Sequence, residues 1–344
     1  MRTMTAAVLT RHGEEDALEV RRDQPVPSPG EGEVLVRVRA AAMNNTDLWT
    51  RKGAYGVPGD PEARTGWRGP IDFPRIQGGD IAGIVEQTGP GVPAGLRGKR
   101  ALVDPALYRD AGAHAPPVGL LGSEADGGFA EYVVTRAERV HDVTGSPLSD
   151  EQLASLPVAY GTAMGMLERA EIGTGETVLV TGASGGVGLA LVQLAAARGA
   201  EVVAVTTAAK REAVLAAGAT RAVSREDSPL TITDRLDAVA DVVAGPLVEQ
   251  FLPLLRDDGR WVIAGAVAGA VLPIDVRRLY LHNLRMIGSA MHTRAHFAKL
   301  VQEARAGSIR PLIAERFPLS EIHAAQRRFL EYRHIGKILL DPAG

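Results

Sequence analysis

From the first residues to about Gly145, apolar and polar positions alternate in short bursts. EVLVRVRAAA, GGDIAGIVEQ, KRALVDPAL and GGFAEYVVT are separated by glycine- and proline-rich turns. A period of two between turn residues predicts strands, so this stretch reads as an all-β module. Beyond Leu148 the texture changes. Short apolar runs (TVLVTG, EVVAVTT, DAVADVV, RWVIAGAV) alternate with stretches of helical period (LALVQLAAARGA, KREAVLAAGA, PLVEQFLPLLRDDG). Strands that are apolar along their whole length are buried on both faces, and strand–helix alternation predicts βαβ units in a parallel sheet. LRMIGSAM adds a last strand to that module. An amphipathic helix in HTRAHFAKLVQEARAG, another around LSEIHAAQRRFLE and a terminal strand KILL follow. Thr293 or His292 caps the first of these helices. His292 and His296 stand four apart, a spacing that can bind metal, but no third ligand accompanies them, and both are read as helix-surface groups.

Composition narrows the function. A chain of 344 residues with 45% hydrophobic and 23% charged side chains can bury the cores of two domains. A net charge of −3 argues against nucleic acid or an anionic membrane as partner, since both need clustered excess Lys and Arg. No apolar run approaches the roughly 20 residues of a membrane helix, and MRTMTAAVLTRHGEED lacks a signal core, so a cytoplasmic protein is expected. The chain has no Cys, which excludes disulfides, iron–sulfur clusters and thiolate-bound zinc.

The chemistry concentrates in TVLVTGASGGVGLALVQLA. Gly182, Gly185, Gly186 and Gly188, with Ser184 and Val187 among them, lie between an apolar strand and an Ala/Leu helix. Residues without Cβ allow the tight turn, and the free N–H groups and dipole at the helix start suit a pyrophosphate. With EVVAV following, the segment reads as a dinucleotide site. An NAD site carries Asp or Glu at the end of that second strand, to accept from the ribose 2′-hydroxyl. Here Thr206 and Thr207 are followed by Lys210 and Arg211. Hydroxyls and cations suit a 2′-phosphate, so NADPH is the expected cofactor.

The order of β module, ASGGVG loop, Thr-Thr-x-x-Lys, GGFAEY at 127–132 and RHIGKILL resembles the medium-chain dehydrogenase/reductases, specifically their zinc-free quinone oxidoreductase-like branch. The resemblance implies a GroES-like substrate domain from residues 1–150 and 292–344, a Rossmann domain from 151–291, and an active site in the cleft. It also implies cofactor contacts at Thr162, Ser184, Gly185, Gly186, Val187, Gly188, Thr207, Lys210, Gly265, Ala266, Gly288 and Lys337. A homodimer through the edge strand Leu284–Ser289 is implied as well. Zinc-dependent relatives carry Cys and His ligands where this chain has Asn44 and Gly79, so no metal is expected; Asp80 and Asp104 remain as oxygen ligands without soft or imidazole partners.

Without a Lewis acid, the substrate must already be electrophilic, as a quinone or an α,β-unsaturated carbonyl is. Opposite the nicotinamide, NNTDLWTRKGAY matches the N-P-x-D and R-S-G-x-Y runs of the quinone oxidoreductases at Asn44, Asp47, Arg51, Gly53 and Tyr55, with Asn45 in place of Pro and Trp49 in the same turn. Asn44 and Tyr55 are the candidate donors to the substrate oxygen, and Asp47 positions them. The same residues would also serve a turn that bonds its own backbone. The long segment 56–77, with Arg64, Trp67, Arg68 and Phe73, reads either as a pocket wall or lid or as a surface excursion, and loop 105–126 as facing the same cleft. A metal-free alcohol or polyol dehydrogenase and a non-catalytic NADPH-binding protein are the alternative functions.

Overall fold

The computed structural model describes residues 2–56, 65–224, 226–227 and 235–344. It divides into two compact units, Met1–Val158 with Thr293–Gly344, and Ala159–His292. The first is β-rich. Its main sheet runs Val140–Asp142, Arg100–Val103, Asp80–Thr88, Glu33–Ala42, Lys337–Asp341 and Ile313–Pro318, with Tyr132–Arg136 also on Glu33–Ala42. Alternation along Glu33–Ala42 sends Val34, Val36 and Val38 into a core shared with Ile81, Val85, Phe129, Ile338 and Leu340. The C-terminal strand is thus a central member of a sheet begun near the N-terminus. The helix Asp150–Ala154, capped by Ser149, packs on Glu33–Ala42 and Asp80–Thr88. The first unit therefore extends to Val158, beyond residue 150 where the resemblance ends it.

Other sequence expectations are refined here. The stretch 105–126 contains a hairpin, Ala106–Tyr108 with Pro117–Leu120; its strands are too short and proline-rich to show a period. In 56–77, Arg75–Ile76 pairs with Thr3–Leu9, whereas residues 57–64, Arg64 included, lie outside the described residues. Thr293 caps the helix Arg294–Ala306, and its Oγ1 accepts from His296 N at 3.3 Å. His292 and His296 are buried rather than on a helix surface, because His296 serves in the cap and His292 precedes the helix.

The second unit holds parallel strands in the order Arg221–Val223, Glu201–Val205, Thr177–Val180, Leu236–Asp241, Leu255–Ile263 and Arg285–Gly288. In chain order this is 3-2-1-4-5-6, the doubly wound arrangement whose ligand crevice lies at the carboxyl ends of the first strands. Its core gathers Leu179, Val203, Val239, Phe251 and the fully buried Trp261.

Candidate active site

In the first unit, the end of Glu33–Ala42 lies between two antiparallel neighbours, with Ala42 opposite Asp80 on one side and Leu339 on the other. This register brings Asn44, Asp80 and Lys337 to one end of the sheet. Lys337 Nζ lies 2.9 Å from Asp80 Oδ2, donates to Met43 O at 2.7 Å and also donates to Asn44 Oδ1. Asn44 Nδ2 donates to the same Asp80 Oδ2 at 2.9 Å, and Val158 N donates to Asp80 Oδ1 at 2.7 Å. All three side chains are buried. An ammonium has three donors, and those of Lys337 are committed inside this unit; the resemblance had placed Lys337 on the cofactor. Asn44 is likewise turned inward, toward Asp80 and Lys337.

The helix Asn45–Lys52 starts immediately beyond this cluster. Asp47 Oδ2 accepts from Asn44 N at 2.7 Å, the reciprocal half of a capping box, and the helix ends at Gly53 in the left-handed conformation. Gln77 Nε2 donates to Asp47 O at 2.9 Å. Burial pushes the Asp47 carboxyl up to about 7, helped by the charge of Asp80 and opposed by Lys337 and by the N–H groups of Asn44 and Gly79. From its ordinary 3.8 up to about 7, the folded protein retains a proton that the unfolded chain has released. Asp47 therefore contributes stability that is fully present below about pH 4 and is lost as pH rises through 7. Urea midpoints at pH 5 and pH 8 should show this loss in the parent and a flatter response in Asp47→Asn, a difference on the order of a few kcal/mol; equal slopes would contradict it.

Tyr55 follows the helix. Its hydroxyl donates to Thr46 Oγ1 at 2.8 Å, and its ring lies 5.5 Å from that of Trp49. Burial, foremost, pushes the phenol up to about 12, so at neutral pH it is a neutral donor. Sequence reasoning passed over Thr46, although its hydroxyl sits between Asn44 and Asp47 in the polar run.

In the second unit, Gly182 takes a positive φ of 56° after Thr177–Val180, and the helix Gly186–Ala197 opens behind Gly185. A Cβ on Gly188 would lie 2.1 Å from Gly182 O. The first-turn N–H groups of that helix have no intrahelical acceptor, and Ser184, Gly185, Gly186 and Val187 are half-buried beside them. Asp241 braces the loop, a role the sequence reading missed. One of its oxygens accepts from Thr181 Oγ1 at 2.6 Å and from Val243 N and Ala244 N, each at 2.9 Å. The other accepts from Trp261 Nε1 at 3.0 Å. The available signal was the second acid of DAVAD, which closes the strand Leu236–Asp241. At the end of Glu201–Val205, Thr206 Oγ1 is buried without a partner among the described residues, Thr207 is exposed, and burial holds the Lys210 amine below the usual lysine range. Gly265 and Ala266 follow Leu255–Ile263, Gly288 ends the outer strand, and Thr162 Oγ1 donates to Met291 Sδ at 3.7 Å.

A doubly wound sheet with this glycine loop, joined in one chain to a β-rich unit bearing a buried polar cluster, defines an NAD(P)-dependent oxidoreductase. Residues 30–145 match the alcohol dehydrogenase GroES-like domain, and residues 186–306 match the zinc-binding dehydrogenase family. The chain is 31% identical to the acryloyl-coenzyme A reductase of Metallosphaera sedula, across 98% of this chain and 99% of that protein. It is 26% identical to the quinone oxidoreductase of Homo sapiens, across 95% and 94% respectively. A crystal structure from Sinorhizobium meliloti 1021, described as a candidate alcohol dehydrogenase, is 44% identical over 99% of this chain and 97% of that one, with a TM-score of 0.94. The chain belongs to the medium-chain dehydrogenase/reductase superfamily, among relatives of the quinone oxidoreductases and acryloyl-coenzyme A reductases.

Proposed function

We propose that this protein is an NADPH-dependent reductase of quinones or α,β-unsaturated carbonyl compounds that works without zinc. The observation that carries this reading is the buried Asn44–Asp80–Lys337 cluster. An ammonium is already held where the resemblance aligns zinc ligands, and a positive charge among these oxygens disfavours a second cation. At Gly79, the other aligned position, a Cβ would lie 3.1 Å from Val158 Cγ2 and 3.3 Å from Leu121 O, so a histidine would press on backbone. These residues do not fit a catalytic zinc. An alcohol substrate would need that Lewis acid, whereas a quinone or a carbonyl-conjugated alkene does not. The names of two relatives, on a quinone and on an acryloyl thioester, point to acceptors of that kind.

Bound NADPH supplies a hydride to the acceptor. The chain's own part is to orient the two molecules and receive the charge. With Thr46 Oγ1–H turned to donate across the same 2.8 Å contact, Tyr55 gives its one hydroxyl proton to the oxygen on which enolate or quinol charge collects. Asn44 and Asp47 hold the helix start that carries both hydroxyls. The N–H groups from Ser184 to Gly188 take the pyrophosphate, Thr206, Thr207, Lys210 and Arg211 the 2′-phosphate, and Thr162, Gly265, Ala266 and Gly288 the nicotinamide half. Two features of the second unit support a homodimer. The strand Arg285–Gly288 is one of the sheet's two outer strands among the described residues, and Val267, Val271, Val276, Tyr280 and Leu281 are exposed beside it in sequence.

Initial rates of NADPH and NADH oxidation against a panel of quinones and enones, in buffer with chelator, test the reading. Turnover that survives chelation, favours NADPH, and loses about tenfold or more of that preference in Lys210→Glu is expected. Turnover abolished by chelator, or a preference for NADH, would overturn it. Light scattering on the same sample should return the mass of a dimer, and a monomer mass would remove that part.

A further inference from the structure

Segment 65–69 is fastened to the β-rich unit at both of its faces. Thr65 bridges Ala54, the residue before Tyr55, and Thr65 N donates to Gly53 O at 3.3 Å. Gly66 N closes a turn onto Gly69 O at 2.7 Å. Trp67 N donates to the Oγ of fully buried Ser123 at 2.8 Å, and Arg68 N donates to Glu124 Oε1 at 2.7 Å. Ser123 Oγ donates to that same carboxylate oxygen at 3.0 Å, while Leu120 N donates to Oε2 at 2.8 Å. A Cβ on Gly66 would lie 2.6 Å from Ser123 Oγ, so the turn is pressed directly onto the pair that holds it. Ser123 and Glu124 thus act as a clamp, using a buried hydroxyl and a carboxylate that accepts three hydrogen bonds.

The clamp presents a particular surface next to the candidate donor. Glu124 is close enough that, after burial and alongside Asp47, its charge helps to raise the Tyr55 phenol. The Arg68 guanidinium stacks over the Trp67 ring at 4.8 Å. Among the described residues no carboxylate forms an ion pair with it, and Arg68 is exposed. An indole face carrying a stacked guanidinium, with no carboxylate paired to it among the described residues, recognises a flat molecule with an anionic group. We propose that Trp67 and Arg68, clamped by Ser123 and Glu124, form a fixed wall of the acceptor site that selects flat conjugated acceptors bearing a carboxylate, sulfonate or phosphate. The wall rests on the reductase reading above and deepens it. It also makes residues 65–69 a rigid element rather than a lid.

A neutral naphthoquinone and its ring-sulfonated counterpart test the wall. Two measurements are made, KM with NADPH and, independently of turnover, the dissociation constant from tryptophan fluorescence quenching. The parent protein should favour the sulfonated quinone by about tenfold or more. Arg68→Met should erase that preference and Arg68→Lys should keep most of it. Ser123→Ala and Glu124→Gln should lower it while leaving the NADPH dissociation constant unchanged. No preference in the parent, or an equal one in Arg68→Met, overturns the wall. Turnover of both quinones with no such preference would leave the reductase standing and the wall refuted. Arg68-dependent binding of the sulfonated quinone without turnover would do the reverse.

Discussion

Replacing Lys337 with methionine is expected to destabilise the protein by about 3–5 kcal/mol, the usual consequence of removing one partner from a buried ion pair. The reason lies in what remains. Asp80 is fully buried, and without the ammonium it keeps the Asn44 amide and the Val158 N–H as its donors among the described residues. The buried carboxylate then has too little to solvate it. Asp80→Asn should be costly for the mirror reason, since Lys337 would be left with two neutral acceptors. The double variant, in which no charge is buried, should cost less than the sum of the two by about 1–3 kcal/mol. Urea denaturation of the four proteins checks this. Additive losses would show that the two residues do not act as a pair, and a loss below 1 kcal/mol in Lys337→Met would show that the cluster is solvated.

Gly188→Ala should nearly abolish dinucleotide binding while leaving the protein folded. The added methyl would lie 2.1 Å from Gly182 O and 2.7 Å from Ala183 Cα, contacts that only a backbone shift relieves. Overpacking of this kind costs about 1–3 kcal/mol, and the shift displaces the N–H groups that would face the pyrophosphate. Cofactor affinity should fall by about 100-fold or more, read by fluorescence titration with NADPH. Gly173→Ala, in the same unit, is the matched control, because a Cβ there meets nothing within 4 Å. Its cofactor affinity should stay within about twofold of the parent's. Unchanged NADPH binding in Gly188→Ala would refute the assignment of this loop.

The parallel sheet and the glycine loop were legible because their signals are local. TVLVTG followed by ASGGVG and an Ala/Leu helix specifies strand, turn and helix within one short stretch, and the structure has all three in place. The hairpin in 105–126 was not legible, since Ala106–Tyr108 and Pro117–Leu120 are too short for periodicity to register. The role of Asp241 was hidden for a different reason. Its partners Thr181, Val243, Ala244 and Trp261 are brought to it by two neighbouring strands, and nothing in DAVAD says which strands those will be.

By itself the sequence determined the two-part architecture, the strand, glycine turn and helix at 177–197, and, through its motifs, the family. Each depends on residue patterns read over tens of positions, where alternation, helical period and glycine spacing act through short-range sterics. Only the tertiary structure decided what the polar run beginning at Asn44 does. Asn44, Asp80 and Lys337 are joined by the register of three antiparallel strands, a long-range pairing that no local propensity encodes. That register turns Asn44 and Lys337 toward Asp80 inside the first unit, whereas the Tyr55 hydroxyl is held by Thr46.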